Sequence, residues 1–324
     1  MDTTVKPGEG MNPNGVSVIV PTIGRPASLR ALLESLTTQT VPPDEVIVAD
    51  GSGGSEIENV VSAPEWVSRG LRVSRISVLP PNAVQQRVAA IEKSRHEYLL
   101  LLDDDVVLEP DCVERLVTTM TADRNVVGVV ADFNNQTWPP PTRPWRWYLK
   151  YVEGMTEGAC QGKVVGPLLR FGYFPSPSRP APMQWLGTCN TLIRRDAYER
   201  AGGFSDFFLH RSTINEDVDL GLKLARQGTL LLCPAARLAH FHAPGGRASA
   251  RIAAEDDLYN RYVILRRTLG HSAARAGGLI LAYCAIETIS GVAASIRHQR
   301  VAGFVGRLAG WSSALFRIAR SSAA

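Results

Sequence analysis

The segment Leu99-Leu-Leu-Leu-Asp-Asp-Asp105 joins four consecutive leucines to three consecutive carboxylates. A short, unbroken apolar run is typical of a strand that is buried on both faces. Three like charges at its end are costly unless a cation or strong hydrogen-bond donors neutralise them. Carboxylate oxygens suit Mg²⁺ or Mn²⁺ bound together with a pyrophosphate. The other interpretation of the acids is a solvated turn that caps the following helix.

Strand and helix patterns alternate on both sides of this segment. Apolar runs predict strands at residues 16–20, 45–49, 71–78, 98–102 and 126–131. Helical patterns between them predict helices that begin at residue 25, span 83–94 and span 110–122. This alternation is typical of an α/β fold with a mostly parallel sheet and helices on both faces. Ligands of such sheets bind beyond the carboxyl ends of the strands, where Pro21, Thr22, Asp50 and Asp103 lie.

The 324 residues are enough for one large domain with an appendage. We expect residues 1–14 to form a flexible tail, because they are polar and lack the apolar core of a signal peptide. Residues 15–245 would form the main domain. Within it, residues 132–186 are crowded with proline and aromatic residues, which predicts a long insert that acts as a lid. Residues 246–324 would form a helical, basic extension.

The formal net charge of +4 hides an asymmetry. From Gly246 onward the chain has eleven arginines, no lysine and four acids, a net charge of +7, which leaves −3 for the rest. A basic extension suggests an anionic partner. Apolar residues from Val301 to Leu315 follow helical spacing with arginines among them, which fits a helix lying on an anionic membrane. Helices that pack on the main domain or form a dimer are the alternative.

The five cysteines lie far apart and form no C-x-x-C pair. An odd, dispersed set is typical of reduced thiols in a cytoplasmic protein and disfavours a zinc site. The sequence contains no run of 18 or more uninterrupted apolar residues, so membrane contact would be peripheral, at the inner face. We expect no nucleic-acid partner.

A second acidic cluster, Asn215-Glu-Asp-Val-Asp219, opens a predicted amphipathic helix. Acids in a first helical turn complement the helix dipole, which explains one or two of them. Three acids in four positions also leave room for a catalytic carboxylate. Both interpretations stay open at this point.

Several motifs resemble, in order and spacing, those of the family 2 glycosyltransferases. They are Val16-Ser-Val-Ile-Val-Pro-Thr22, Val46-Ile-Val-Ala-Asp-Gly-Ser52, Arg87, the Asp103–Asp105 run, Gly202-Gly-Phe204 and Glu216-Asp217. The resemblance covers roughly residues 16–242 and implies the GT-A fold, with a Rossmann-like sheet. It implies an inverting transferase that moves a sugar from a nucleotide diphosphate, UDP or dTDP first, to an acceptor hydroxyl. The acceptor would be a glycan or a lipid-linked acceptor in cell-surface polysaccharide synthesis, and residues 132–186 would lie on the acceptor side.

The resemblance also implies roles for matching residues at the nucleotide. Pro21 and Thr22 would line the nucleotide pocket. Asp50 would accept a hydrogen bond from the base, and Arg87 would lie near the base or a phosphate. Asp104 would belong to the same donor site.

The resemblance further implies a metal and a base. Asp103 and Asp105 match the D-x-D motif, so both would hold Mn²⁺ or Mg²⁺, with Asp103 also near the ribose. Family members often carry a histidine near His240, which makes His240, rather than His242, the candidate third ligand. Of the pair Glu216-Asp217, Asp217 would be the general base that takes the proton from the attacking hydroxyl.

Two features separate the chain from common family patterns. Val88 stands where asparagine is frequent, and no Q-x-x-R-W motif follows Asp217, which favours a single-addition enzyme. A nucleotidyltransferase that makes nucleotide sugars is the first alternative, but Pro21-Thr-Ile-Gly-Arg-Pro26 lacks the glycines that its loop needs. A non-catalytic nucleotide-binding protein is the second, and the presence of Asp105 and Asp217 disfavours it.

Overall fold

A computed structural model describes residues 15–136, 141–152, 164–165, 170–171, 178–243, 249–298 and 301–322. The chain divides into two compact units, each discontinuous in sequence. The first comprises Met1–Gln136, Ser176–Thr213 and Lys223–Ala243, and the second Thr137–Pro175, Ile214–Leu222 and Pro244–Ala324. Most of the predicted insert therefore shares a unit with the predicted extension. The functional division into residues 1–14, 15–245 and 246–324 stays a prediction.

Nine strands of the first unit form one sheet in the part of the chain that the structure describes. They are β1 (Val16–Thr22), β2 (Glu45–Asp50), β3 (Val73–Ser77), β4 (Tyr98–Leu102), β5 (Val106–Leu108), β6 (Val126–Phe133), β9 (Ala181–Met183), β10 (Asn190–Arg194) and β11 (Thr229–His240). The second unit contains the short strands β7 (Val164–Val165) and β8 (Arg170–Phe171). The order in the large sheet is β3-β2-β1-β4-β10-β6-β11-β5, with β9 paired to β11.

Six of these nine strands run in one direction. The pairs β1–β2, β2–β3, β1–β4 and β6–β11 are parallel, whereas β10 is antiparallel to both β4 and β6. The two short strands β5 and β9 are antiparallel to β11. The prediction of an α/β fold with a mostly parallel sheet is therefore confirmed.

Helices connect and follow the strands. They are α1 (Pro26–Thr37), α2 (Glu56–Val61), α3 (Pro64–Ser68), α4 (Ala83–Lys93), α5 (Cys112–Thr121), α6 (Arg143–Tyr151), α7 (Arg195–Arg200), α8 (Asp206–Leu209), α9 (Glu216–Leu224), α10 (Ala250–Val263), α11 (Ala273–His298) and α12 (Val301–Ser322). A π-helical turn, Ile264–Thr268, follows α10 directly. The predicted C-terminal helices are thus present.

Local chemistry explains where the helices beside the site begin. Pro26 occupies the first position of α1, where its missing N–H costs no hydrogen bond. The side chain of Asn82 caps α4, because its Oδ1 accepts from the backbone N–H groups of Val84 at 2.9 Å and Gln85 at 3.0 Å. Helix α4 packs on β1 and β2, and the buried leucines of α1 share one hydrophobic cluster with β1, β2 and β4, whose residues are almost all fully buried. The carboxyl ends of those strands are held in fixed positions as a result.

The second unit is held together by helix contacts with buried polar links. The indole Nε1 of Trp145 in α6 donates to Oε1 of Glu287 in α11 at 2.6 Å, and Trp145 is fully buried. Arg317 in α12 pairs with Glu255 in α10 at 2.9 Å. Within the residues that the structure describes, none of the helices has the length and apolar character needed to span a bilayer.

Candidate functional site

The three acids lie between β4 and β5, at the carboxyl edge of the parallel strands. Because β1 pairs with β4 in parallel, the last residue of β1, Thr22, reaches the acid run. Its Oγ1 donates to Oδ2 of Asp104 at 2.6 Å, and both side chains are buried. Thr22 and Asp104, predicted for the donor site, are therefore neighbours in the structure.

His240 reaches the same edge from the far side of the sheet. It is the last residue of β11 and lies opposite Val106 in β5, so main-chain pairing brings it to the acids. Its Nε2 lies 3.2 Å from Oδ1 of Asp105. The backbone N–H of Ala243 donates to Oδ2 of the same carboxylate at 2.7 Å. The ring of Phe133 stacks on His240 with centroids 5.8 Å apart, which limits the orientation of the imidazole.

Asp103, Asp105 and His240 together can supply the ligands of a metal ion. One ligand atom from each side chain lies within 4.8 Å of the other two. Ligand atoms on opposite sides of an octahedral Mg²⁺ are about 4.2 Å apart, so small side-chain rotations bring this group into range. Two carboxylates suit Mg²⁺ or Mn²⁺, and the imidazole favours Mn²⁺. The residues therefore fit the metal that the sequence predicted.

Two arginines contact the acids. Nη2 of Arg87 lies 2.6 Å from Oδ1 of Asp103, and the Arg87 side chain is almost wholly buried. Nη2 of Arg25 lies 3.0 Å from Oδ1 of Asp104, and its Nη1 lies 3.5 Å from Oδ2 of Asp105. Three carboxylates and two guanidinium groups leave a net charge of −1. This small residual charge can attract a divalent cation, and the sum then becomes positive enough to hold a diphosphate.

The pKa values of the neighbouring carboxylates Asp104 and Asp105 are shifted in opposite directions. Burial raises the pKa of Asp104 to about 6, although the hydrogen bond from Thr22 and the charge of Arg25 lower it. Burial acts in the same direction on Asp105, but hydrogen bonds from His240 and from the Ala243 N–H outweigh it and lower its pKa to about 2. Asp105 is thus the carboxylate that stays charged throughout the physiological range, as a metal ligand must.

Asp50 lies at the end of β2, beside Thr22 in the adjacent strand. Its carboxylate is fully buried and accepts from Arg75 through Nε at 3.0 Å and Nη2 at 2.8 Å. The backbone N–H of Ser52 donates to the other oxygen at 2.8 Å, and the Ser52 hydroxyl donates to that oxygen as well. A bond from Asp50 to a nucleotide base therefore stays a prediction, and Arg75 is the partner that sequence reasoning missed.

The chain passes Asp50 through a close turn. A Cβ on Gly51 would lie 2.7 Å from Cβ of Pro81, so the position admits only glycine without movement. The buried amide of Gln86 in α4 donates to the carbonyl oxygens of Thr22 at 2.8 Å and Ala49 at 2.6 Å. These bonds tie β1, β2 and α4 together at the edge where Pro21 and Thr22 end β1.

Glu216 and Asp217 belong to the second unit, at the first turn of α9. Glu216 is buried and Asp217 is half-buried. Oδ1 of Asp217 accepts from the backbone N–H of Val218 at 2.8 Å. The predicted site residues thus fall into two groups: an acid-rich cluster with His240 in the first unit, and this acidic pair in the second.

Arg25 contacts the acid run, although sequence reasoning treated it only as the start of a helix. Its position could have been predicted, since a positively charged residue shortly after the first parallel strand lies at the edge of the sheet where ligands bind. Its partners, 79 and 80 residues away, were not visible from local pattern.

Comparison with known proteins identifies the family to which this chain belongs. Residues 17–201 match the profile described as glycosyl transferase family 2, which is more than half of the chain. The O-antigen biosynthesis protein RfbC of Myxococcus xanthus is 29% identical over 270 residues, which cover 79% of this chain and 19% of that protein. The chain spans about a fifth of the length of this relative.

Two solved structures resemble this one in fold. The mannosyltransferase PcManGT of Pyrobaculum calidifontis, in complex with GDP-Man and Mn²⁺, has a TM-score of 0.56 at 15% identity. The match covers 99% of this chain and 90% of that one. TarS 1–349 of S. aureus, in complex with UDP-GlcNAc, has a TM-score of 0.56 at 12% identity, covering 94% and 82%. At such identities the likeness shows the fold, which is that of GT-A glycosyltransferases.

Proposed function

This chain belongs to glycosyl transferase family 2, and we propose that it transfers a sugar from a nucleoside diphosphate to an acceptor hydroxyl with inversion of configuration. The observation that carries the proposal is the approach of Asp103, Asp105 and His240 at the carboxyl edge of the sheet, with Arg25 and Arg87 beside them. This arrangement supplies both the ligands for a cation and the positive charge for a diphosphate. A role in O-antigen-type or other cell-surface glycan synthesis follows from the similarity to RfbC.

Asp103, Asp105 and His240 would hold Mn²⁺ or Mg²⁺, which when bound supplies charge neutralisation for the departing diphosphate. The protein groups around them keep the ligands in place. The hydroxyl of Thr22 holds Asp104, and the backbone N–H of Ala243 holds Asp105, so the carboxylates would need only small rotations when the donor arrives. Arg25 and Arg87, which contact carboxylates of the same acid run, would take separate roles.

We assign the diphosphate contact to Arg25. About a quarter of its side chain is exposed, whereas the Arg87 side chain is almost fully buried. Arg25 lies 3.0 Å from Asp104 and only 3.5 Å from Asp105, so its guanidinium could exchange the longer contact for a hydrogen bond to a phosphate oxygen. Arg87 would keep Asp103 oriented. Pro21 and Thr22 would line the nucleotide, and Asp50 with Arg75 would form the end of the pocket nearest the base.

Asp217 would act as the general base. Its carboxylate would take the proton as the acceptor oxygen forms a bond to the anomeric carbon, while the bond from that carbon to the diphosphate breaks. A single displacement of this kind inverts the anomeric configuration. The position of Asp217 in the family's Glu-Asp pair supports this assignment, and Glu216 would be its buried neighbour. Absence of a Q-x-x-R-W motif supports single addition.

The donor would be UDP- or dTDP-linked, and the acceptor a glycan or a lipid-linked hydroxyl. A lipid-linked acceptor would agree with peripheral contact between α11 and an anionic membrane. Leu281, Ile289 and Val292 of α11 are all exposed, and they share one face by helical spacing. Two arginines of α12, by contrast, contact acids of their own unit: Arg317 pairs with Glu255 at 2.9 Å and Arg307 approaches Glu287 at 3.6 Å. The apolar face of α11 is therefore the stronger basis for membrane contact.

A screen of nucleoside diphosphates by thermal unfolding, with and without Mn²⁺, tests the donor site. A diphosphate at 100 times its Kd adds about 2.7 kcal/mol of stability, enough for a clear rise in Tm. We expect the rise to need Mn²⁺ and to be largest for UDP or dTDP. Turnover of the matching donor sugar then tests the base: Asp217→Asn should bind nucleotide normally and lose transfer, and Asp206→Asn in α8 is the matched control. Stabilisation by no nucleotide at all would contradict the proposed function.

A further inference from the structure

Three side chains that follow α9 in sequence hold the segment on which Asp217 lies. We propose that Asp257, Asn260 and Thr268, here called the base scaffold, are positioning residues for Asp217, an inference that rests on the proposed function. Asp257 and Asn260 belong to α10 and Thr268 ends the π-helical turn after it. All three belong to the same compact unit as Asp217.

The first contact holds the residue two positions before Asp217. The side-chain amide of Asn215 donates to Oδ1 of Asp257 at 2.9 Å. Asn215 has a φ of 68°, in the left-handed region that asparagine tolerates better than most residues. Its carbonyl oxygen accepts from the N–H of Asp219 at 3.1 Å, which forms the first turn of the helix. Asn215 therefore sets the direction in which α9 begins, and Asp257 holds Asn215.

The second and third contacts lie on either side of Asp217 in sequence. The amide of Asn260 donates to the carbonyl oxygen of Ile214 at 2.7 Å. The hydroxyl of Thr268 donates to Oδ1 of Asp219 in a short hydrogen bond. Asn260 and Asp219 are each 2% exposed, so water cannot replace these partners. Residues 214, 215 and 219 are thus all tied to α10 or to the turn that follows it.

The scaffold is itself rigidly held. Both carboxylate oxygens of Asp257 accept from Nε of Arg261 at 3.0 Å, and the Arg261 guanidinium lies 4.7 Å from the ring centroid of Tyr283. Burial lowers the pKa of Arg261, but the charges of Asp257, Tyr283 and Glu287 and the hydrogen bond to Asp257 together outweigh burial and raise it above its ordinary value. Asp257 is thereby kept oriented, with one oxygen directed at Asn215.

This arrangement explains why several acids occur together at the start of α9. Asp219 is buried and accepts a hydrogen bond from Thr268, so its role is to hold the first turn of α9 in place. Asp217, by contrast, is half-buried. A base must stay within a fraction of an ångström of the proton it takes, and a misplacement of 1 Å can cost about 100-fold in rate. Anchors on both sides of Asp217 supply that precision. The role differs from general stabilisation, because it acts on kcat and leaves donor binding alone.

Two substitutions at one position separate positioning from folding. Thr268→Val removes the hydroxyl and keeps the shape, whereas Thr268→Ser keeps the hydroxyl and loses one methyl group. In the full-length protein with Mn²⁺ and its donor sugar, we expect Thr268→Val to lower kcat about tenfold with the donor KM changed less than about twofold. Thr268→Ser should restore kcat to within about twofold of the wild type. Hydrogen–deuterium exchange of the peptide spanning residues 214–220 should accelerate in Thr268→Val and not in Thr268→Ser.

Coupling to Asp217 completes the test. If Thr268 acts through the base, Thr268→Val should not lower any further the slow residual transfer of the Asp217→Asn variant, because the carboxylate that it positions is gone. An unchanged kcat in Thr268→Val would overturn the scaffold, and so would a multiplicative loss in the double variant. Failure of the proposed function would give different results: the wild type would transfer no sugar, or Asp217→Asn would transfer sugar at the normal rate. The two failures are therefore distinguishable.

Discussion

Nε2 of His240 lies 3.2 Å from Oδ1 of Asp105, and the backbone N–H of Phe241 donates to the carbonyl oxygen of Asp105 at 2.9 Å. A side-chain contact and a main-chain bond thus join the same two regions of the chain. Because the main chain fixes the approach, the imidazole and the carboxylate meet without help from a long flexible side chain. Asp105 is therefore the residue whose loss should affect cation binding most directly.

Asp105→Asn should weaken Mn²⁺ binding at least about tenfold, the effect that loss of even a supporting group of a metal site produces. The amide has one acceptor oxygen and no charge, so both the ligand and the attraction are diminished. Titration calorimetry with Mn²⁺ and excess UDP measures the change. Asp196→Asn, an exposed acid of α7, removes the same charge and should bind Mn²⁺ as the wild type does. Equal affinities for Asp105→Asn and Asp196→Asn would remove Asp105 from the metal site.

Arg25→Met should separate cation binding from diphosphate binding. Without the guanidinium the acid run carries one more net negative charge, so Mn²⁺ alone should bind at least as tightly as before. Affinity for the nucleoside diphosphate should fall about tenfold, because a charge-assisted hydrogen bond is lost. Calorimetry with each ligand separately gives both values. Arg30→Met, in the helix that begins directly after Arg25, removes an arginine paired with Glu65 and is the control. Undiminished diphosphate affinity in Arg25→Met would contradict its assignment.

Gly51→Ala should destabilise the first unit by about 1–3 kcal/mol, the usual cost of forcing an extra carbon into a packed site. The new Cβ would lie 2.7 Å from Cβ of Pro81, and neither backbone can move without disturbing Asp50 or α4. Gly54→Ala is a matched control, since nothing lies within 4 Å of its added Cβ. Urea denaturation followed by circular dichroism compares the two. Similar midpoints for both variants would show that the turn relaxes freely.

Trp145→Phe should cost the second unit about 1–3 kcal/mol. The change removes the indole N–H that Glu287 accepts at 2.6 Å, in a site where Trp145 has no exposed surface. Trp147→Phe, just over half a turn along the same helix and 60% exposed, should change stability by less than about 0.5 kcal/mol. Guanidinium denaturation monitored at 222 nm avoids the altered tryptophan fluorescence. A loss in Trp147→Phe as large as in Trp145→Phe would show that the hydrogen bond is not responsible.

Ile289→Glu should reduce binding to anionic vesicles about tenfold, because it places a charge in the exposed apolar face of α11 and repels the lipid surface. Co-sedimentation with phosphatidylserine-containing vesicles measures the effect. Ile252→Glu in α10 introduces the same charge at a 52% exposed isoleucine and serves as the control. Wild-type binding by Ile289→Glu would exclude this face of α11 as the membrane contact.

The central strands could be predicted from sequence because they are buried on both faces. Residues of β1, β2 and β4 are almost all inaccessible, so each strand is a short and mainly apolar run. The three-residue strands β5 and β9 are too short to show any period, and their existence depends on pairing with β11. Alternation of strands and helices also predicts parallel neighbours, yet β10 enters antiparallel between β4 and β6. That insertion follows from tertiary packing, which local pattern does not contain.

The candidate site was predictable to the extent that its residues follow strands. Thr22, Asp50 and the Asp103–Asp105 run all do, and the edge of a parallel sheet gathers such positions. The arginines were harder to predict, because an ion pair depends on which distant strands are neighbours. Arg75 reaches Asp50 only because β2 pairs with β3, and Arg25 reaches Asp104 only because β1 pairs with β4. The sequence shows which residues are charged, whereas the pairs that they form depend on which strands are neighbours and in what register.

Because β11 pairs with β5, the face of the sheet on which His240 lies depends on the number of residues that precede it in the strand. Side chains alternate between the two faces of a strand, so one residue inserted or deleted between Leu238 and His240 would turn the imidazole to the opposite face. Length changes after Ala243 carry no such consequence for the imidazole. Natural variants of this chain should therefore tolerate insertions and deletions after residue 243, while the short stretch from 238 to 240 admits substitutions but no change in length.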